Sequence, residues 1–253
     1  MLSRFSLMTW IGAVLLLAGY CFAGTVAEDF AAANESYESG DYQKAIELYT
    51  GILDQGQESA PLYYNLGNAY FKDGDLGRSI LYYMRAKRLD PGDDDIKSNL
   101  EFARQFTSLQ MEGTKLNPIH RFMESIVEPY RLSFLAWVSS GLFVVMILLL
   151  ALRYGFGISG SLQRVGLALA LILLVLSSII TTYKYRTDYL TKRAVLIEYE
   201  VPVRSGPSER LDAEFEGVPG LIVEILSESG EYYNVLFENN RRGWIKKDLV
   251  AEI

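Results

Sequence analysis

The sequence predicts a multidomain membrane protein: an all-α repeat domain, then a two-helix transmembrane hairpin, then a small all-β barrel. Three patterns carry that expectation. Two long uncharged apolar runs occupy the middle of the chain, a 34-residue self-similarity precedes them, and short alternating segments broken by Gly, Pro and acidic turns follow them.

The apolar runs come first because they divide everything else. Ser133 to Leu152 is twenty residues and Val165 to Thr182 is eighteen, neither containing a charge. A helix needs ~20 residues to cross ~30 Å of hydrocarbon, so each run is read as a transmembrane helix. The stretch between them, Arg153 to Arg164, is too short for a domain and holds two arginines and no acid. The helices therefore turn back through one loop and leave both soluble parts on the same side. A buried hairpin in a soluble protein is the alternative, but runs this long with no polar face belong in lipid.

Charge is distributed around this division. The net charge is −7, yet residues 24–116 carry sixteen acids against nine bases, residues 194–253 twelve against six, and residues 117–193 three against eight. Acid lies in the soluble parts and base beside the membrane, an arrangement that suits anionic headgroups. No basic stripe forms on either soluble part, which argues against nucleic acid as a partner. Cys21 is the only cysteine and His120 the only histidine. That inventory excludes an internal disulfide and argues against a Cys/His metal site or a Cys/His or Ser/His catalytic pair.

At the amino end, Arg4, the apolar stretch Leu7 to Leu17 and the small residues Ala23 and Gly24 have the layout of a secretory signal over residues 1–23. An uncleaved anchor would give the same topology. Tyr20 before Cys21 does not fit a lipoprotein signal, which wants a small residue there.

Residues 24–112 contain the repeat. Gly40-Asp41-Tyr42-Gln43-Lys44-Ala45-Ile46 aligns on Gly74-Asp75-Leu76-Gly77-Arg78-Ser79-Ile80, and Tyr49 on Tyr83. In the second copy Leu66, Gly67, Tyr70, Gly74, Tyr83, Ala86 and Pro91 fall on signature positions, with Ser79 where alanine is usual. The first copy keeps Ala33, Gly40, Ala45 and Tyr49 and departs at Ile52 and Gln57. This pattern resembles the tetratricopeptide repeat, a stack of paired helices. Small residues let the helices of a pair approach, tyrosines fill between repeats, and Gly40 and Gly74 end first helices in the left-handed region. After Pro91, Asp93-Asp94-Asp95 is expected to cap a further helix, favoured by the helix dipole, because the spaced ligands of a calcium loop are missing. That helix starts a third repeat whose second helix does not follow, and it is expected to be a solvent-facing cap.

The resemblance implies peptide binding in the groove lined by first helices. Superposing the copies puts Phe30 over Tyr64, Asn34 over Asn68, Tyr37 over Phe71 and Glu38 over Lys72. The candidate groove residues are Phe30, Asn34, Tyr37, Tyr64, Asn68, Phe71 and Lys72. A side-chain amide offers both donor and acceptor to a ligand backbone, while neighbouring aromatics cover its side chains. The alternative is that they are ordinary exposed polar residues on a helix.

Residues 117–129 place Ile119, Phe122, Met123, Ile126 and Val127 on one face of an amphipathic juxtamembrane helix. A secreted amino-terminal domain puts the Arg153–Arg164 loop in the cytoplasm, as the positive-inside rule prefers. It also puts Lys184, Arg186, Lys192 and Arg193 outside, against that rule. The secretory start is given precedence.

From residue 194 the segments Ala194 to Ile197, Leu221 to Leu226 and Tyr232 to Phe237 alternate as strands. Val201-Pro202-Val203-Arg204-Ser205-Gly206-Pro207-Ser208, with Glu231 to Val235 and Arg242-Gly243-Trp244-Ile245, resembles the bacterial SH3-like family over residues 194–253. That resemblance implies binding of cell-wall peptides or proteins, with no catalysis. Ser205-Gly206-Pro207 reads as a turn. Trp244 is expected first in the core and second at a ligand surface with Arg204 and Tyr232.

The order of signal, repeats, two spans and SH3-like domain resembles the BatE family of Bat aerotolerance operons. It implies an inner-membrane complex with von Willebrand A-domain proteins, both soluble domains periplasmic, and no cofactor. Two other classes stay open: a peptidoglycan-binding sensor, and an enzyme built on an acid pair, although the acids here sit at caps and turns.

Overall fold

The computed structural model describes residues 26–108, 126–157 and 160–253. The expected signal segment and most of the expected helix over 117–129 lie outside the described residues. A helix through residues 26–38 (α1) is followed by α2 (Tyr42–Asp54), α3 (Ala60–Asp73), α4 (Leu76–Leu89) and α5 (Asp94–Ser108). Local chemistry sets the boundaries. Asp41, Ser59 and Asp75 precede α2, α3 and α4, and each side chain accepts a hydrogen bond from the backbone N–H three residues on. Gly40 and Gly74 sit at φ +84° and +92° between the helices of each pair. Asp93 Oδ1 accepts from the N–H groups of Asp95 and Ile96 at 2.9 and 3.1 Å, so the acidic run caps α5 as its position suggests.

Two apolar helices follow, α6 (Leu132–Gly155) and α7 (Ser161–Tyr185), the second continuing in a π-turn over Arg186–Leu190. Both are long and apolar enough to cross a membrane, and almost nothing in them is buried within the fold. They pack side by side, with Ser139 Oγ 3.1 Å from Thr181 Oγ1 near one end and Gln163 Nε2 donating to the Leu149 carbonyl at 3.2 Å near the other. Such polar contacts are a common device between helices in lipid.

The last part is a seven-stranded antiparallel sheet of β1 (Arg193–Leu196), β2 (Val201–Arg204), β3 (Ala213–Gly217), β4 (Ile222–Ser229), β5 (Tyr232–Phe237), β6 (Arg242–Lys246) and β7 (Val250–Glu252), in the order β3-β2-β6-β5-β4-β1-β7. Its core gathers Ala194, Leu196, Val201, Val203, Val223, Val235, Phe237, Ile245 and Val250 from six of the strands.

The sheet is packed on the helical repeats. Val195, between the inward-facing Ala194 and Leu196, belongs to a second cluster with Ile80, Leu81 and Tyr83 of α4 and Leu100 and Ala103 of α5; Ile197, Ile222 and Ala251 pack around it. Arg78 reaches Glu198 at 3.2 Å, Arg104 reaches Glu238 at 2.6 Å, and Thr107 Oγ1 donates to the Pro219 carbonyl at 3.3 Å. The apolar part dominates: a fully buried aliphatic side chain is worth about 1.5–3 kcal/mol over an exposed one, an exposed ion pair ~0–1 kcal/mol. This corrects the reading of α5 as a solvent-facing cap. The sheet lies against α4 and α5, where a third repeat would place its second helix, and it closes the array.

Candidate functional site

The candidate groove residues lie on the first helices α1 and α3. Phe30, Asn34 and Tyr37 of α1 and Tyr64, Asn68 and Phe71 of α3 are all half-buried, with Lys72 exposed beside them. Asn34, Tyr37, Glu38, Tyr49, Asn65 and Asn68 line a recess of about 290 Å³.

The two asparagines are held in one geometry, repeated after 34 residues. Tyr49 donates its hydroxyl to Asn34 Oδ1 at 2.6 Å, and Asn65 Nδ2 donates to the same oxygen at 3.0 Å. One period on, Tyr83 donates to Asn68 Oδ1 at 2.6 Å and Asn99 Nδ2 donates to it at 3.0 Å. The ring pairs repeat as well: Phe30 lies 5.8 Å from Tyr49, and Tyr64 lies 6.0 Å from Tyr83. Burial pushes the Tyr49 phenol up to about 12, and it raises that of Tyr83 further. Both stay protonated and remain donors. Each asparagine oxygen is thus taken by the fold, and what the amide retains for a ligand is its N–H donors.

This changes the expectation in one respect. The amides do not offer both donor and acceptor, because each carbonyl oxygen tethers a buried tyrosine to the next repeat. Asn34 and Asn68 are structural as well as accessible, and removing either would leave a tyrosine hydroxyl short of a partner.

Beyond the recess lies an aromatic patch. Phe71, Phe102 and Phe106 stand 5.4–5.9 Å apart, and Phe102 and Phe106 are 50% and 49% exposed. Sequence reasoning missed these two, together with Asn65 and Asn99. The signals were present: Asn65 and Asn99 are one period apart, and Phe102 and Phe106 share a face of α5.

Residues 30–94 match the model of a tetratricopeptide repeat family. Over this stretch the chain is similar to tetratricopeptide repeats. The match covers both helix pairs and closes where α5 begins, so the half repeat and the sheet stand outside it. A search of the curated proteins finds no match to the chain.

The repeats therefore place Phe30, Asn34, Tyr37, Tyr64, Asn68 and Phe71 along one face, next to the recess and continuous with the phenylalanine patch. The three residues of the sheet are less uniform. Arg204 and Trp244 are direct cross-strand neighbours, and the Arg204 guanidinium donates to the Leu211 carbonyl. Trp244 is half-buried and alternates away from the core, whose residue on β6 is Ile245. Its expected core place is corrected accordingly, since the period-2 register turns Ile245 inward instead. Tyr232 pairs with Lys246 and is only 8% exposed, so little of its ring is offered to a ligand.

Proposed function

We propose that the chain is a membrane-anchored scaffold that holds an extended segment of a protein partner in its repeat groove. The observation that carries this reading is the asymmetry of the repeats. The sheet covers α4 and α5 on one side, while the first-helix face keeps an open recess and an exposed aromatic patch. Amide donors suit the carbonyl oxygens of an extended backbone, and the phenylalanines suit an apolar side chain beside them. Such a site recognises and positions, without catalysis or cofactor.

Anchoring by α6 and α7 is supported by their exposed leucines, isoleucines, valines and phenylalanines, an apolar surface far larger than soluble monomers leave in water. With a secretory start, both soluble parts are periplasmic at the inner membrane. The layout supports a role like that of the BatE family in an aerotolerance complex, with von Willebrand A-domain proteins as the partner class. The small SH3-like domain is then chiefly the closing element of the repeats. A second reading is favoured by one observation, the Arg204–Trp244 pair on the outer face of the sheet, which would suit peptidoglycan or a protein ligand.

Co-purification of partners from solubilised membranes separates the two readings. Tyr37→Ala with Phe71→Ala is expected to lose the partner by about tenfold or more, since each removes apolar cover worth roughly 1–2 kcal/mol. Full retention by that variant, with loss only in Trp244→Ala, would move the site to the sheet. For topology, reporter fusions after residue 110 and after Ile253 should be active only as periplasmic reporters; cytoplasmic activity at either position would overturn the orientation.

A further inference from the structure

The orientation leaves one sequence feature without a role: the bases that follow the second apolar helix on the side the positive-inside rule disfavours. The structure gathers two of them, Lys184 and Arg193, into a pocket of about 70 Å³ with Lys87 and Arg88 of α4. It sits where both apolar helices emerge toward the soluble body, between the segment leading into α6 and the end of α7. Lys184 is the penultimate residue of α7, and its side chain is only 9% exposed, 3.3 Å from Asp188. Glu128 neutralises Lys87 at 2.6 Å. Arg88 donates to the terminal oxygen of Ile253 at 2.9 Å, so four cationic side chains face the carboxylates of Glu128 and Asp188 and that terminal oxygen, and Arg193 has no carboxylate within ion-pairing distance among the described residues. Met84 and Val127 give the pocket an apolar wall.

Its depth relative to a bilayer is marked by aromatic residues. Tyr130 stacks on Phe134 at the start of α6, and Tyr185 on Tyr189 at the end of α7, each pair at 5.5 Å and exposed. Aromatic rings gather at headgroup level. An excess of positive charge, one unpaired guanidinium and an apolar wall at that level match a phosphate with attached acyl chains more closely than a soluble anion.

We propose that this pocket binds the phosphate-bearing headgroup of an anionic phospholipid from the leaflet facing the soluble domains. The proposal rests on the reading that α6 and α7 span the membrane. Arg193 holds the phosphate by paired N–H donors, Lys184 and Lys87 supply the surrounding field, and Met84 and Val127 receive the glycerol end of the chains. The site joins the last helix of the hairpin to the repeat domain and the sheet, so an occupied pocket sets how the groove is held over the membrane.

The test uses the full chain reconstituted into vesicles of phosphatidylcholine alone or with phosphatidylglycerol, then extracted in mild detergent for native mass spectrometry. Phosphatidylglycerol should be retained in preference to phosphatidylcholine by about tenfold or more, the scale of one or two charge-assisted hydrogen bonds. Arg193→Gln with Lys87→Gln should abolish the preference while the helical signal is unchanged, and Lys184→Met should reduce it independently. Equal retention of the two lipids, or a preference that survives both variants, would overturn the pocket. Complete displacement of phosphatidylglycerol by millimolar inorganic phosphate would assign the site to a free anion and overturn the lipid. A chain that fails to enter vesicles of either composition would overturn the membrane reading itself, and the pocket with it.

Discussion

Replacing Gly67 by leucine is expected to lower the melting temperature of the solubilised chain by on the order of 10 °C or more. The reason is the close approach of α3 and α4. A β-carbon on Gly67 would lie 2.7 Å from Cδ1 and 2.8 Å from Cε1 of Tyr83, and 3.3 Å from the Ser79 carbonyl oxygen. Tyr83 cannot swing aside, because its ring is buried and its hydroxyl is bound to Asn68. Overpacking alone costs ~1–3 kcal/mol, and here the displaced ring would also give up its hydrogen bond. Gly67→Ala should show a smaller loss of the same sign. An unchanged melting temperature in Gly67→Leu would mean that the two helices are not in this register.

The second large effect concerns the contact between the two soluble parts. Gly77, near the start of α4, faces backbone: an added β-carbon would lie 2.8 Å from both Ile197 Cα and the Leu196 carbonyl oxygen. A strand cannot yield there without losing its own pairing, since Ile197 N–H donates to the Leu249 carbonyl beside it. Gly77→Glu is expected to separate the sheet from the repeats while both stay folded, because a side chain in place of glycine favours the helix by itself. Cysteines replacing Arg104 and Glu238, with Cys21→Ser, provide the readout through a short thiol cross-linker. Most of the intramolecular cross-link should disappear in Gly77→Glu with the helical signal kept. A cross-link yield equal to that of the parent would contradict the docked arrangement.

Much of this architecture was legible in the residues. The 34-residue period places glycines, caps and tyrosines by packing rules that act within a pair of helices, and α2, α3 and α4 follow them residue by residue. The apolar runs were as plain, since length and the absence of charge are the whole criterion. The docking of sheet on repeats was not foreseen, because each part was read as though alternation served one core. Yet Ala194-Val195-Leu196-Ile197 is apolar without interruption, and a strand apolar on both sides is one with both faces covered. Val195 and Ile197 face α4 for that reason. The asparagines show the opposite limit. Their period was visible, but which atom of an amide the fold consumes depends on Tyr49 and Tyr83, fifteen residues away on the next helix. Trp244 was misplaced for a simpler cause: ring size suggested core, while the register of β6 gave that place to Ile245.

The central claim is that partners enter the first-helix groove while the α4 side is occupied by the chain's own sheet. A photoreactive phenylalanine analogue tests it in intact membranes, placed at Phe71 in one variant and at Arg78, beside Glu198, in another. The Phe71 variant should form an adduct with another protein, and the Arg78 variant should cross-link only within the chain, to the segment around Ile197 and Glu198. A protein adduct from Arg78, together with none from Phe71, would contradict the account and place the partner on the side the sheet is said to cover.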